Sequence, residues 1–400
     1  MSKQTVFIAA TETARDPARS GIQSVTRGAI RGMASQANIT LVAWNRRRGY
    51  PHPLKPQWIS HVAPSANKEA KFLPPDSLCK PEYWLTWIQS WGLNHRAPIH
   101  RHPIHQAELA GSWLLLPELM DGSDARLMTA YAHAQGMKIV AIFHDAIPLL
   151  RPELTLRTPA AHQDYIDALG EMDLVLPVSN FSGEMFRRFL NNGSQANIRT
   201  VSLPAEIHGA DRGLPPPVSA GTIKILCVST LEPRKNHRTL IEAFNMACAT
   251  LPEAAMELHL AGDIFRGSPE IADFVTAAEQ RNPGIIWHKR VQPKQLRELY
   301  RECNFTVYPS FIEGFGMPVM ESLWCGRPCL CANTGVMAEN AAGGGCLTVN
   351  VLNPPELSEA LVRLATQPEL RDKLTGEAAE RPLRTWRNYA AELLELMQKT

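Results

Sequence analysis

Two acids, Glu313 and Glu321, flank a glycine-containing turn in the stretch Phe311-Ile-Glu-Gly-Phe-Gly-Met-Pro-Val-Met-Glu321-Ser322. With 39 acidic residues in the chain, about four pairs at this spacing arise by chance, so the spacing alone decides little. The surroundings say more. A strand-like run from Asn304 to Tyr308 leads through Pro309 and Ser310 to the first acid, then to Gly314, Phe315, Gly316 and an apolar helix. Such a turn presents backbone N–H groups at a helix N-terminus, where partial positive charge favours a phosphate or another polar ligand. Eight residues at helical rise span ~12 Å, enough for one carboxylate to meet a sugar while the other meets a ribose. By itself the segment also fits an ordinary strand-to-helix turn with two solvated acids.

A second segment supplies the opposite charge. Ile223 to Ser229 reads as a buried strand, followed by Thr230-Leu-Glu-Pro-Arg234-Lys235-Asn236-His237 and a helix marked by Leu240, Ile241, Phe244 and Ala247. Two adjacent cations between a strand end and a helix start suit a diphosphate, because side-chain charge and helix dipole act in the same sense. A solvated basic turn is the plainer alternative.

Taken together, the two segments resemble the retaining glycosyltransferases of family 4 (glycosyl transferases group 1). Glu313 and Glu321 match that family's E-x7-E signature, and Arg234-Lys235 its phosphate-binding pair. The resemblance implies an α/β protein of the GT-B fold, with two Rossmann-like domains of parallel sheets facing a central cleft. It further implies transfer of a hexose from a nucleotide diphosphate sugar to a glycan or lipid-linked sugar hydroxyl. Mannose from GDP-mannose stands slightly ahead of other hexoses. His144, Arg234, Lys235 and Glu313 would be catalytic. The resemblance gives His144 the task of donating to a hydroxyl of the donor sugar, Glu313 that of holding sugar hydroxyls, and Glu321 that of holding the ribose. Gly21, Gly262, Asp263, Gly314, Phe315 and Gly316 would complete the donor site, with backbone contacts to the phosphates near Gly335 to Glu339. The family's usual account is front-face attack, the leaving phosphate taking the acceptor's proton, with the nucleotide sugar as co-substrate and no cofactor or metal. A sugar-nucleotide hydrolase or epimerase on the same fold, or a non-catalytic nucleotide-sugar-binding subunit, is the alternative.

The sequence departs from the family pattern in places. Ser20 stands where a second glycine is common before Gly21, and Ser229 where a glycine often precedes the cations. In Val178-Ser179-Asn180-Phe181-Ser182, Ser179 or Asn180 suits helix capping better than ligand contact.

The elements that must position these residues alternate in type. Strands are expected at Thr5 to Ala10, Ile39 to Trp44, Trp113 to Leu116, Ile139 to Phe143 and Leu174 to Val178, and a helix at Gly21 to Met33. Residues 50 to 110, rich in Pro, Trp and His, show little periodicity and read as a functional loop region or irregular small elements. Beyond the prolines at 215 to 217, strands near 223, 256, 285, 305, 328 and 346 alternate with helices, the pattern of a parallel sheet. The expected division is an acceptor-side domain over 1–205, a linker over 206–222 and a donor domain over 223–382. A last helix, 383–400, is expected to cross back to the first domain.

Composition narrows the partners. A chain of 400 residues, 44% hydrophobic, suits two domains, and no apolar run is long enough to span a membrane. Eight cysteines sit mostly inside apolar patterns, as core-filling thiols of a cytoplasmic protein do. The first 60 residues carry nine bases against two acids, a basic face that suits an anionic membrane surface and peripheral association. Arg27, Arg31, Arg46, Arg47 and Arg48, with Arg187 and Arg188, would form it. No aromatic residues interleave with these bases, which argues against nucleic acid. His95, His100, His102 and His105 follow no zinc-site spacing.

Overall fold

A computed structural model describes residues 3–15, 20–46, 49–55, 58–59, 62, 109–191, 196–213, 221–252 and 255–400. Strands β1 (Thr5–Ala9), β2 (Asn38–Asn45), β3 (Tyr50–Pro53), β4 (Trp113–Leu116), β5 (Lys138–Phe143), β6 (Leu174–Pro177) and β7 (Asn197–Ile198) form one sheet in the order β3-β2-β1-β4-β5-β6-β7. Strands β8 (Thr222–Val228), β9 (Ala255–Ala261), β10 (Ile285–Trp287), β11 (Phe305–Tyr308), β12 (Cys329–Ala332) and β13 (Cys346–Val349) form the second, ordered β10-β9-β8-β11-β12-β13. The protein is α/β, with two Rossmann-like domains in the GT-B arrangement. Every residue of β4, β6, β11 and β12 is buried, because helices cover both faces of the sheets.

One pairing departs from the all-parallel expectation. Tyr50–Pro53, read from sequence as the start of an irregular stretch, is an edge strand antiparallel to β2. Pro51 and Pro53 lack the N–H that a central strand must donate, so an edge is where such a segment can pair.

In each sheet the strand order reverses once, between β1 and β4 and between β8 and β11. At such a point the crossover helices run to opposite faces and leave a crevice beyond the carboxyl ends of the strands. Because β8 and β11 are neighbours, in register at Ile225 and Phe305, the loops after them meet although about 80 residues separate them. Arg234 and Lys235 lie in the first loop and Glu313 in the second.

The helix Trp386–Lys399 packs against the helix Gly21–Met33 of the first domain. Gly28 makes room for it: a Cβ there would stand 2.3 Å from the Trp386 ring. The indole N–H donates to the Glu206 carbonyl at 3.1 Å, and the Trp386 backbone N–H to the Glu206 carboxylate at 2.7 Å. Among the described cysteines all are free, and Cys227, Cys303, Cys325, Cys329 and Cys331 are buried in the core. Cys79 and the four histidines at 95, 100, 102 and 105 lie outside the described residues, as do the prolines at 215 to 217.

Candidate active site

The turn after β8 is shaped by its own sequence. Pro233 opens a short 3-10 turn over Pro233–Lys235, and Asn236 ends it in the left-handed region at φ 57°. Asparagine tolerates that conformation better than most residues, and here its amide also donates to the Val351 carbonyl at 2.7 Å. The helix His237–Thr250 then begins. The adjoining loop is tied down by the Phe311 N–H and the Ser310 hydroxyl, both donating to the Arg234 carbonyl at 3.2 and 3.1 Å.

Arg234 and Lys235 both pair with one oxygen of Glu313. The same oxygen accepts from the Tyr308 hydroxyl at 2.9 Å and the Ser310 hydroxyl at 2.7 Å. The Lys235 ammonium also donates to the Tyr308 oxygen at 2.6 Å, while the Arg234 Nε–H donates to Glu232 at 2.8 Å. Burial would raise the Glu313 carboxyl, but the two cations and these hydrogen bonds outweigh it and hold it at about 2. Burial, followed by the charge of Arg234, pushes the Lys235 ammonium down. Two acids thus already balance the two cations. A diphosphate entering here must draw Arg234 and Lys235 away from Glu313 and Glu232.

Glu321, on the helix Met317–Trp324, lies outside this cluster. Its neighbour is the Tyr300 hydroxyl, which donates to it at 3.3 Å. Burial raises its carboxyl to about 7, against a small lowering by Tyr300. The two glutamates of one motif therefore have opposite electrostatics.

On the facing wall, His144 follows β5. Its Nε2 lies 2.8 Å from the Pro117 carbonyl, which can only accept, so Nε2 carries the proton. Burial pushes this imidazole below its ordinary value, against a raising effect of the Pro117 bond. The neutral ring then offers Nδ1 as an acceptor. In this geometry a sugar hydroxyl would donate to His144, the reverse of the direction that the family resemblance implied.

Gly314 packs against His144, and a Cβ there would come within 2.1 Å of the His144 carbonyl oxygen. The Gly314 carbonyl accepts from the Ser179 and Ser182 hydroxyls at 2.7 and 2.9 Å. Ser179 also caps the helix Asn180–Phe189, so it both starts a helix and holds the opposite domain. Gly316, at φ 79°, turns the chain into its helix, and the Phe315 carbonyl accepts from Asn340. The Glu339 carboxylate accepts from the Asn180 and Phe181 N–H groups at 3.0 Å each, clasping the two domains.

The remaining expected residues are less gathered. Gly21 is exposed at the start of its helix with open space around it, and the cap is Ser20, reciprocally bonded with Gln23. Gly262 is required by the protein itself: a Cβ there would meet the Ser229 carbonyl oxygen at 1.8 Å. Ser229 in turn is hydrogen-bonded to His237 at 3.0 Å. Asp263 is exposed and accepts from the Ile264 N–H at 2.9 Å. Tyr308 and Ser310 sit five and three residues before Glu313, and Glu232 two before Arg234. The sequence reading passed over them as strand end and turn. Tyr300, 21 residues before Glu321, carries no local signal.

The basic face is partly spoken for. Arg46 pairs with Asp124 at 3.2 Å and with Asp121 at 3.9 Å, and Arg27 and Arg31 also have partners. Arg47 and Arg48 lie outside the described residues. Arg187 and Arg188 are exposed, but Phe186 is fully buried in the core rather than offered to a surface. Among the described residues no helix is long and apolar enough to cross a membrane, and no group of three or more His, Cys, Asp or Glu is placed to hold a metal ion.

A cavity of about 240 Å³ opens between the walls, reached by His144 and Asp145 from one domain and by Glu232, Arg234 and Phe265 from the other.

Residues 216–381 match the family described as glycosyl transferases group 1. The O-antigen chain mannosyltransferase B of Escherichia coli is 28% identical over 219 residues, covering 52% of this chain and 56% of that protein. The serotype-specific mannosyltransferase WbdA of Escherichia coli is 25% identical over 231 residues, covering 54% of this chain and 28% of the relative. The chain thus spans about half, or less, of the length of these curated relatives. Among solved structures, HepE of Anabaena in complex with UDP and glucose superposes with a TM-score of 0.65 at 13% identity, covering both chains in full. The sucrose-phosphate synthase of Thermosynechococcus elongatus gives 0.66 at 15% identity, covering 99% of each chain.

Proposed function

Because this chain belongs to the glycosyl transferases of group 1, family 4, and has the GT-B fold, we propose that it is a retaining hexosyltransferase using a nucleotide diphosphate sugar. The observation that carries the reading is the meeting of Arg234, Lys235 and Glu313 at the carboxyl ends of β8 and β11, opposite His144. In the proposed reaction the bond from C1 of the sugar to the diphosphate oxygen breaks, and the oxygen keeps the electron pair. Arg234 and Lys235 meet the charge that develops there, which is electrostatic stabilisation of the transition state. The acceptor hydroxyl bonds to C1 from the same face, and its proton passes to the departing phosphate.

Glu313, released from the cations by the diphosphate, would accept hydrogen bonds from sugar hydroxyls, and so would Nδ1 of His144. Glu321 would take the ribose, and the backbone around Gly314, Phe315 and Gly316 would border the donor. Gly21 has the open space that a ligand could use, whereas the geometry of Gly262 and Asp263 supports a structural part for them. The domain division at 205, 222 and 382 belongs to this proposal. Mannose from GDP-mannose is the first donor to try, since two relatives are named as mannosyltransferases, and the acceptor would be a glycan or lipid-linked sugar.

The test is to incubate the protein with GDP-mannose, UDP-glucose and UDP-N-acetylglucosamine, with and without a lipid and glycan extract. Hexose appearing on the acceptor supports transfer. Nucleotide released equally without acceptor would instead favour a hydrolase, and no turnover with intact nucleotide binding a non-catalytic subunit.

A further inference from the structure

Three thiols meet at one edge of the second sheet. β12 carries Cys329 and Cys331, and β13, last in the strand order, carries Cys346. Cys329 and Cys346 are register partners on parallel strands, so their side chains leave the same face. Cys331, two residues on, shares that face, and both β12 thiols are fully buried. Cys346 is only partly buried. Gly343, Gly344 and Gly345 lead into it without side chains to shield it, the last two at φ 88° and 82°. Neighbouring strands lie about 4.8 Å apart, inside the ~4.4–6.8 Å between Cα atoms that a disulfide spans. Two further residues at roughly 3.3 Å each put Cys331 more than ~7 Å from Cys346, outside that reach.

The surroundings of Cys346 favour its thiolate. Hydrogen bonds from the Cys329 and Cys331 thiols, and then the charge of Arg381, hold it well below its ordinary value, against burial and the Glu377 carboxylate. The other described cysteines go the opposite way. Burial pushes Cys227 up to about 11 and Cys303 to about 12, and Cys248, Cys325, Cys329 and Cys331 are raised as well. A partly exposed thiolate beside a cation, with a second thiol in bonding reach, is the arrangement that peroxides oxidise. We propose that Cys346 is a site of reversible oxidation by hydroperoxides, with Cys329 as its resolving thiol. The Cys346 thiolate attacks a peroxide oxygen, the O–O bond breaks, and hydroxide leaves as the sulfur becomes a sulfenic acid. Cys329, giving up its proton, then attacks that sulfur. The S–S bond forms, the S–O bond breaks, and the hydroxyl leaves with the proton as water. Peroxide is the oxidant throughout, and a dithiol reverses the bridge by exchange.

The bridge also removes the negative charge near Arg381. That guanidinium donates to the Asn340 and Gly344 carbonyls at 2.9 Å each, and the Asn340 amide holds the Phe315 carbonyl of the turn after β11. Oxidation should therefore loosen that turn and weaken nucleotide binding. This consequence rests on the transferase reading, whereas the oxidation does not.

The test titrates the reduced full chain with hydrogen peroxide, counts free thiols and maps alkylated peptides by mass spectrometry. The wild type should yield a peptide cross-linked from Cys329 to Cys346, reversed by dithiothreitol. Cys346→Ser should form no such peptide, and Cys329→Ser should stop at a sulfenic acid on Cys346 that dimedone traps. Cys331→Ser should still form the bridge. In the wild type itself, a Cys346 no more reactive than Cys227 or Cys325, or a bridge from Cys346 to Cys331, would overturn the site. Calorimetry with GDP and UDP on oxidised and re-reduced protein reads the coupling. Affinity should fall severalfold on oxidation and return on reduction. A bridge that leaves affinity unchanged would overturn the link through Arg381, and nucleotide bound by neither form would count against the transferase reading instead.

Discussion

On the wall of the cleft that follows β8 and β11, Arg234 and Lys235 are locked onto a single Glu313 oxygen, and Arg234 also pairs with Glu232. On the wall that follows β5, two histidines, His144 and His162, are held neutral by burial, with Nε2 committed to backbone carbonyls. The first wall is built to exchange charge partners and the second to orient without charge. An incoming diphosphate competes with Glu313 and Glu232 for Arg234 and Lys235, and the carboxylates it displaces need new hydrogen-bond donors. Neutral imidazoles fixed by the backbone have no such exchange to make. They can hold a hydroxyl in place without attracting a free anion. Within the first wall the same contrast recurs, between Glu313 at about 2 and Glu321 at about 7.

The largest effect should come from removing the centre of the charged cluster. Glu313→Ala leaves two buried cations facing each other, and breaking a buried pair typically costs about 3–5 kcal/mol. Urea unfolding should show a loss of that size, and Glu313→Gln a smaller one together with lost turnover. A stability within 1 kcal/mol of wild type for Glu313→Ala, a bound taken from ordinary surface substitutions at roughly ±0.5 kcal/mol, would mean the cluster is not formed in solution.

Arg234→Ala or Lys235→Ala removes a charge-assisted contact worth ~1.5–3 kcal/mol, roughly ten- to hundredfold in nucleoside diphosphate affinity. Calorimetry showing no change in either variant would detach the diphosphate from this wall.

Glu321 should separate from Glu313 in both ligand and pH dependence. Glu321→Gln should weaken nucleotide and nucleotide sugar alike, whereas Glu313→Gln should act mainly on the sugar-bearing donor. If the ribose hydroxyls donate to an ionised Glu321, nucleotide affinity should rise as pH climbs through about 7, and this step should vanish in Glu321→Gln. Folding should follow the opposite sign. The folded state keeps the Glu321 proton up to about 7, against an ordinary value of 4.5, so this residue's contribution to stability falls as pH rises across that window and is level above it. A flat affinity profile in the wild type would refute the ribose contact. Glu313, held at about 2, should add no step between pH 5 and 9.

The smallest expected effect is that of a chelator. Arg234 and Lys235 supply the charge that a metal would otherwise bring to a diphosphate, so EDTA should leave turnover unchanged. Activity lost to EDTA and restored by manganese would reverse that assignment.

Much of this was written in local patterns. All the described strands but β3 and β7, the helix Gly21–Met33 and the two turns bearing Arg234-Lys235 and Glu313 follow from apolar periodicity, glycine, proline and capping residues, which act over a few positions. The acid and the cations were therefore legible, and the family resemblance they carry together suggested the proposed ligand class. Three things were not. That Tyr50–Pro53 pairs antiparallel depends on a free edge of β2 being available to it. That Glu313 is ionised while Glu321 is raised depends on which groups burial places beside each: two cations and two hydroxyls for one, a single tyrosine hydroxyl 21 residues away for the other. That Nε2 of His144 and Nε2 of His162 each carry the proton depends on the carbonyls of Pro117 and Asp145, which no spacing reveals. The sequence by itself determined which groups can carry charge and where the chain turns. Tertiary structure decided which of them meet, because desolvation and hydrogen bonding act through space between strands ordered by crossover rather than by succession.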